Sequence, residues 1–370
     1  MGLRQLTGRS FLVLSIFGMG FGCSLISLDG YAPGPTTSSG GSGGATSSTT
    51  TGSQTSTTSS SGTGGTGGAA SPCGTFQSPV VLYQATAPKS IAADTSSVYF
   101  LDDGDTTVNK VDKKTKASAK LATTTQLSEP PDVTLSAMRL ALSSDAVYWT
   151  GNNTNICSNR VFTVKKTGDG AAKIWYDDCL SRPTSGIVVD GLSVFVASMG
   201  TEGGVLKFSG GTSAVIAKGS SPWMLVTDAT RVYASRTSDG VVFRVSKAGG
   251  DPEIVAMNQG VVSAMAADEQ FVYWTSDSGR VLKLDKEALG EPVSLAQDEP
   301  GPTGLALDDA CVYFTDANDP SGKIRMVPKA GGEVVTLAEK QRLPVSIAVD
   351  DYGIYWTNNA SGEVMMMQRQ

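Results

Sequence analysis

The stretch that decides the fold is SIAVDDYGIYWTNNASG, residues 346–362, near the C-terminal end of the chain. It begins with a short apolar segment that ends at Asp350, followed by a turn, a second segment with Tyr355 and Trp356, and another turn at Gly362. Short runs of β-branched and aromatic residues bounded by Asp, Asn and Gly are typical of β-strands joined by tight turns. The stretch therefore predicts an antiparallel hairpin that leads into a third strand.

The same pattern recurs along the chain, as SIAAD…VYFLD, GIVVD…VFVAS, MLVTD…VYASR, AMAAD…VYWTS and GLALD…VYFTD, with a degraded copy RLALS…VYWTG. Its aromatic residue returns about every 40 residues, at Tyr99, Tyr148, Phe195, Tyr233, Tyr273, Tyr313 and Tyr355. A repeat of this length made of short strands is the signature of a β-propeller blade. The seven copies predict seven blades.

The last copy is one strand short, because the chain stops soon after residues 363–367. The missing strand is predicted at the other end of the domain, where SPVVLY at 78–83 matches EPVSLA at 291–296 of the fifth copy. Such a strand would close the ring and remove its open edge. The prediction is thus an all-β fold: a seven-bladed β-propeller over residues 75–370, with an N-terminal strand completing the last blade and a disordered linker before it.

The N-terminal residues have the layout of a bacterial export signal. Arg4 and Arg9 precede an apolar run at 11–21, too short to span a bilayer as a mature helix. The sequence GFGC at 20–23 resembles a lipoprotein signal, which implies cleavage after residue 22, a lipid on Cys23 and attachment to the cell envelope, with the outer membrane expected. The alternative is an ordinary signal peptide, an unmodified Cys23 and a secreted protein.

Residues 23–74 are expected to form a tether. Almost every residue from 35 to 71 is Ser, Thr or Gly. Such a segment has too little apolar surface to offset the entropy lost on ordering, so it is predicted to be disordered.

The cysteines fit an exported protein. Apart from Cys23, four remain, and an even number can pair fully in an oxidising compartment. In a propeller, Cys157 and Cys179 would lie on one face, and Cys73 and Cys311 near the other. We predict the pairs Cys157–Cys179 and Cys73–Cys311, the second of which would fasten the ring closure.

Composition excludes several classes of function. The formal net charge of −6 argues against a nucleic-acid partner, because phosphate binding needs a basic stripe. The sequence contains no histidine. This excludes catalytic triads, acid–base pairs and metal sites that use a histidine side chain. No cofactor or metal is expected: DDGD at 102–105 lacks the spacing of an EF-hand and is interpreted as a solvated turn. We therefore expect a protein that is not an enzyme, the alternative being a secreted hydrolase or lyase that uses carboxylates alone.

Six copies carry an Asp at the end of the first strand, and Ser143 replaces it once. We interpret these side chains as acceptors for backbone N–H groups in turns. The basic pairs Lys113-Lys114 and Lys165-Lys166 are interpreted as solvated hairpin charges.

The second strands carry a further resemblance. Trp149, Trp274 and Trp356 each lie within Tyr-Trp-Thr, and residues 313–316 are YFTD. These segments resemble the YWTD repeats of low-density-lipoprotein-receptor-type propellers, and more loosely NHL-type bacterial propellers. The resemblance implies extracellular protein binding, without a fixed set of binding residues.

Departures from the repeat give the candidate binding residues, because local rules tend to fail at functional sites. At the position just before the first strand, most copies have a small residue, but two copies have Arg139 and Met224. At the position one residue earlier, two copies have the large residues Lys89 and Trp223. We expect these four residues to ring the mouth of the central channel and to bind a protein, peptide or glycan. The alternatives are that Trp223 only covers apolar surface between blades, and that the propeller scaffolds a larger envelope assembly. A monomer is expected.

Overall fold

The computed structural model describes residues 73–123, 136–152, 159–178, 184–200 and 203–370. The regular structure in these ranges is entirely β, with 28 strands in seven four-stranded antiparallel sheets. Each sheet is one blade, and successive blades pack against each other around a ring that closes between the last blade and the first. The predicted all-β, seven-bladed propeller is therefore confirmed. No helix in the described ranges is long and apolar enough to cross a membrane.

The first three complete blades follow the chain, each from its innermost to its outermost strand. Blade 1 comprises β2 (Pro88–Ala93), β3 (Ser97–Asp102), β4 (Thr107–Asp112) and β5 (Ser118–Thr123). Blade 2 comprises β6 (Ser136–Leu142), β7 (Ala146–Asn152), β8 (Asn159–Lys165) and β9 (Lys173–Asp178). Blade 3 comprises β10 (Thr184–Asp190), β11 (Ser193–Ser198), β12 (Gly204–Ser209) and β13 (Thr212–Lys218).

The next three blades repeat this order. Blade 4 comprises β14 (Pro222–Thr227), β15 (Arg231–Arg236), β16 (Val241–Ser246) and β17 (Glu253–Ala256). Blade 5 comprises β18 (Val262–Ala267), β19 (Phe271–Ser276), β20 (Arg280–Asp285) and β21 (Val293–Ala296). Blade 6 comprises β22 (Pro302–Leu307), β23 (Cys311–Asp316), β24 (Gly322–Pro328) and β25 (Val335–Gln341).

Blade 7 is assembled from both ends of the chain. Its inner strands are β26 (Pro344–Val349), β27 (Gly353–Asn358) and β28 (Glu363–Gln368), and its outermost strand is β1 (Val80–Gln84). The borrowed strand predicted over 78–83 thus exists, and its register pairs Val80 with Met366 and Gln84 with Glu363. The ring is closed by hydrogen bonds between the two ends of the domain.

A disulfide reinforces this closure. Cys73 is bonded to Cys311 at the start of β23, with a Cα–Cα distance of 5.6 Å and a sequence separation of 238 residues. This confirms one predicted pair. The other predicted pair, Cys157–Cys179, and the predicted lipidation site Cys23 lie outside the described residues.

The second strands form the most buried layer, because each is covered on both faces by neighbouring blades. Trp149, Trp274 and Trp356 are all 0 % exposed. An aromatic side chain of this size buries about 150–250 Å², more than other residue types. The repeated aromatic motif is therefore the packing core of the fold.

The two ends of the ring differ in their connections. We call one end the turn face, because it carries the turns that follow the innermost and the third strands. Two such turns in blade 1 are joined by a hydrogen bond from Lys113 N to Ser96 O at 3.0 Å. We call the other end the mouth face, because it carries the blade-to-blade connections and the turns between second and third strands. For example, Asp103 N in the turn after β3 donates to Ala87 O in the connection before β2 at 3.1 Å.

Candidate functional site

A cavity of about 170 Å³ lies on the propeller axis, where the innermost strands begin near the mouth face. All seven innermost strands contribute to its wall. Each blade contributes an aliphatic residue at the same position of the repeat: Ile91, Leu140, Ile187, Leu225, Met265, Leu305 and Ile347. The cavity is therefore a single axial site that is built by the whole ring.

Each innermost strand enters this site through an irregularity in its pairing with the second strand. The register shifts between Pro88 and Ile91 in blade 1 and between Pro302 and Leu305 in blade 6, and the other blades shift at the same place. An extra residue in one strand bends it and re-aims its side chains. Proline is tolerated here because a strand's first residue need not donate to the ladder.

The hydroxyl of the Tyr-Trp-Thr motif holds these irregular segments together. Thr150 Oγ1 donates to Ser185 O at 2.9 Å, from blade 2 to blade 3, and Thr357 Oγ1 donates to Lys89 O at 3.0 Å, from blade 7 to blade 1. Within blade 4, Ser235 Oγ accepts the N–H of Met224 at 3.1 Å. The third residue of the motif thus ties the mouth of one blade to the next.

Small residues in the wall let neighbouring innermost strands approach each other. A Cβ at Gly186 would lie 2.7 Å from the carbonyl oxygen of Trp223 in blade 4, and a Cβ at Gly304 would lie 3.1 Å from the Ile347 N of blade 7. The first distance is shorter than real Cβ contacts and the second is tighter than most of them, so a larger residue would push the strands apart. The small residues that the repeat shows at this position therefore have a packing reason.

Arg139 and Met224, the two departures from this pattern, both line the axial cavity. They come from blades 2 and 4 and flank the blade that carries Gly186. Met224 is 6 % exposed, and Arg139 is half-buried. The structure thus brings two of the four predicted site residues together in one wall.

The other two predicted residues lie beside the cavity and do not line it. Lys89 Nζ pairs with Asp103 Oδ2 at 2.6 Å. Trp223 is half-buried, and its carbonyl oxygen accepts the Ser185 hydroxyl at 2.7 Å. Sequence reasoning missed Met265 and Val345, which do line the cavity. Val345 departs from the small polar residues of its aligned position, as Trp223 does, whereas Met265 aligns with an aliphatic residue in every copy and gave no signal.

The acidic segment 102–105 forms the expected turn, in which Gly104 and Asp105 are exposed, but the carboxylates of Asp102 and Asp103 bind neighbouring groups. Asp102 is 2 % exposed, and its Oδ2 accepts the N–H of Thr86 at 2.9 Å. Asp103 is occupied by Lys89. The carboxylates hold the connection between blades 7 and 1, and within the described residues no group of three His, Cys, Asp or Glu side chains could hold a metal ion.

On the turn face, the repeated Asp residues do accept backbone N–H groups, as expected, but they also join neighbouring blades. Each pairs with a Lys or Arg that follows the third strand of the next blade. The six pairs are Asp350–Lys113, Asp94–Lys166, Asp190–Lys247, Asp228–Lys286, Asp268–Lys329 and Asp308–Arg369. The interpretation of Lys113 and Lys166 as solvated charges was therefore wrong, since both side chains are buried between blades.

Asp228 shows the electrostatics of these pairs. Burial alone would raise its pKa, but the backbone N–H groups of Thr230 and Arg231 and the ammonium of Lys286 outweigh burial and lower the pKa to about 2. The Lys286 Nζ lies 3.2 Å from the Asp228 carboxylate. The carboxylate is therefore held charged in a structural role.

The ion pair is replaced between blades 2 and 3. Ser143 stands in place of Asp, and the turn after β12 is shortened to Gly210 and Gly211, whose φ values of 58° and 79° fit a two-residue hairpin without a lysine. Aromatic contacts fill this interface, with the ring centroid of Trp175 in blade 2 lying 5.0 Å from that of Phe208 in blade 3. The loss of the Asp at Ser143 in blade 2 and the loss of the lysine in the short turn of blade 3 therefore occur at the same interface.

Two carboxylates are buried on the mouth side of blade 6. Glu299 is 6 % exposed and Asp316 is 1 % exposed. Burial raises the pKa of both carboxyls; at Glu299 the nearby charge of Asp316 adds to the rise, while Arg325, at 3.3 Å, opposes it. Neither residue lines the axial cavity.

Comparison with known proteins identifies the fold and no family. No family model matches the chain, and no curated protein matches it. Among solved structures, Kuenenia stuttgartiensis hydrazine synthase is similar at 15% identity with a TM-score of 0.59, covering 78% of this chain and 97% of that one. The computationally designed Ika8 protein is similar at 15% identity with a TM-score of 0.56 and the same coverage of each chain. A nidogen/laminin complex is more distant, at 14% identity and a TM-score of 0.43, covering 69% of this chain and 80% of that one.

Proposed function

We propose that the protein is a lipoprotein of the bacterial cell envelope that displays a non-catalytic propeller and binds a protein, peptide or glycan at the mouth face. The observation that carries the proposal is the wall of the axial cavity, where Arg139 and Met224 replace the small residues that the repeat favours. Both residues fill space at a concave site to which all seven blades contribute, and such sites are where ligands bind in proteins.

The sequence supports display from a membrane. Residues 20–23 resemble a lipoprotein signal, and the Ser/Thr/Gly-rich segment 35–71 is suited to a flexible tether. The outer membrane is the expected location, and a lipid on Cys23 is the expected anchor. The resemblance of the second strands to YWTD and NHL-type repeats also favours extracellular binding.

A carboxylate-dependent hydrolase or lyase is the second candidate, and Glu299 and Asp316 are the observation that favours it. Paired acids with perturbed pKa values are the equipment of a glycosidase. Both side chains are nine-tenths buried or more, however, and Arg325 is paired with Glu299. A substrate would need a path to them, so binding is the function that the geometry favours.

Binding can be tested on glycan and peptide arrays with the folded propeller. Trp223→Ala and Met224→Ala alter the mouth face, whereas Leu192→Ser alters an exposed residue in the turn between β10 and β11 on the turn face. We expect array ligands whose binding is weakened by the first two variants and unchanged by the third. Ligands that respond only to Leu192→Ser would place binding on the wrong face and contradict the proposal.

A further inference from the structure

The charged groups that line the axial cavity in the described residues are of one sign, positive. Arg139 is its charged residue, and the rest of the described wall consists of apolar, Gly, Ser and Thr residues, with no Asp or Glu among them. A cation in a site with low-dielectric walls attracts an anion more strongly than it would in open solvent. The described part of the wall therefore favours a negatively charged group, although the whole chain has a net charge of −6.

The size of the cavity limits what can enter. Its volume of about 170 Å³ is close to that of an engineered protein cavity of ~150 Å³ that holds benzene. One side chain or one small acid fits, whereas a folded peptide segment or a glycan chain must remain at the mouth. The entering group therefore has about the size of a single amino-acid side chain.

The remaining wall is suited to an apolar stem. Met224 and Met265 lie in the wall with Leu140 and Leu305. Methionine is unbranched and polarisable, so it adapts to irregular apolar groups. On the polar side, the Thr303 hydroxyl is already engaged, with Thr315 Oγ1 at 2.8 Å and Pro344 O at 3.2 Å. The charged donor of the described wall is the Arg139 guanidinium, a group that carries five N–H donors and forms paired hydrogen bonds with carboxylates.

We propose that the axial cavity binds a carboxylate carried on a short apolar stem, with Arg139 contacting the carboxylate and Met224 and Met265 packing on the stem. The inference rests on the proposed binding function and names the chemistry of its ligand. The carboxylate can belong to an acidic side chain or C-terminus of a peptide, or to a free small acid. Arg139 also makes an interaction within the folded chain, so the ligand competes with that interaction.

The test compares acids with their amides. Isothermal titration calorimetry of the propeller would use succinate against succinamide, and N-acetylated, C-terminally amidated pentapeptides with a central Glu against the same peptides with Gln. We expect the acids to bind and the amides to bind at least about tenfold more weakly, because a hydrogen bond to a charged partner is lost. Tighter binding of the peptide identifies a peptide source, and tighter binding of succinate identifies a free acid.

Two variants locate the site. Arg139→Gln should weaken binding of the acid about tenfold or more, and Arg139→Lys should restore part of it. Arg236→Gln is the matched control, because Arg236 ends β15 on the same face and pairs with Asp239 at 2.6 Å without lining the cavity; it should leave binding unchanged. A thermal melt of each variant checks that it is folded.

The outcomes separate the two proposals. Equal binding of acid and amide, or equal binding by folded Arg139→Gln and the wild type, overturns the carboxylate inference while mouth-face array ligands keep the binding function. Acid binding that depends on Arg139, together with no array ligand sensitive to Trp223→Ala, supports the carboxylate site and contradicts display of a protein, peptide or glycan at the mouth.

Discussion

Asp228 illustrates how single residues hold neighbouring blades together. Its side chain is 13% exposed, and its Lys286 partner is 5% exposed. The pKa of Asp228 is lowered from 3.8 to about 2. A lowered pKa in the folded state contributes stability that is present above the ordinary pKa and is lost as the pH falls through the folded value.

We predict that Asp228→Asn lowers the free energy of unfolding at pH 7 by about 1–2 kcal/mol. Asn keeps an oxygen for the turn's N–H groups but removes the charge opposite Lys286. The difference from the wild type should shrink between about pH 4 and pH 2, as measured by urea unfolding at a series of pH values. The control is Ser143→Asn, at the interface that has no ion pair, where a comparable pH-dependent loss would contradict the explanation.

Asp316 has the opposite electrostatics, because burial raises its pKa and Glu299 already occupies Arg325. A carboxyl group whose pKa is higher in the folded than in the unfolded protein lowers the free energy of unfolding at a pH above its folded pKa. It has no effect at a pH where it is protonated in both the folded and the unfolded protein. At the matching position in blade 7, Asn358 donates to Gln341 Oε1 at 2.9 Å without a charge.

We therefore predict that Asp316→Asn raises the free energy of unfolding at pH 7 by about 1 kcal/mol. The gain should disappear in acid, where Asp316 is protonated. Unfolding curves at pH 7 and at about pH 2, well below the ordinary pKa of Asp, measure both values. A variant that is less stable at neutral pH would indicate that the charge of Asp316 is needed, for instance by a bound cation.

At the scale of the element, the innermost strand depends on close approach to its neighbour. Gly186 is the sharpest case, since a Cβ there would lie 2.7 Å from Trp223 O and 3.0 Å from Leu225 N. Backbone atoms cannot move aside as a flexible side chain can. The strands of blades 3 and 4 would have to separate at the mouth of the axial cavity.

We predict that Gly186→Ala destabilises the propeller by about 1–3 kcal/mol, as overpacking does. The same substitution at Gly290, where a Cβ meets nothing within 4 Å, is the matched control and should be neutral or slightly stabilising. Chemical unfolding of both variants decides the question. Equal effects at the two positions would contradict the close-packing explanation.

The element scale also shows what the sequence could and could not predict. The strands and the borrowed β1 were predictable because hydrophobic periodicity and the repeat are local signals. The ion pairs of Lys113 and Lys166 were not, because their partners Asp350 and Asp94 lie in the preceding blade and only the ring brings them together. Arg139 and Met224 were found as departures from the repeat, whereas Met265 resembles its aliphatic counterparts and gave no such signal.

For the whole molecule, ring closure links residues far apart in the sequence. The Cys73–Cys311 bond spans 238 residues, and Gln370 N donates to Thr75 O at 2.9 Å beside it. A cross-link over so long a loop restricts the unfolded chain most strongly. The disulfide thus stabilises the closed ring relative to the unfolded chain.

We predict that Cys73→Ala/Cys311→Ala loses about 5 kcal/mol of unfolding free energy in the chain-entropy description. Urea unfolding of the double variant, and of the wild type with and without reductant, measures the loss. Reduction should reproduce the effect in the wild type and have less effect in the variant. A double variant as stable as the oxidised wild type would show that β1 alone suffices to close the ring.

The proposed display of this propeller from a membrane depends on an acyl chain on Cys23. The most direct test is the intact mass of the protein recovered from membrane and soluble fractions of its native host. We predict a membrane-bound species that begins at Cys23 and carries added acyl mass. An unacylated species, found in the soluble fraction and cleaved elsewhere, would contradict the claim and indicate a secreted protein.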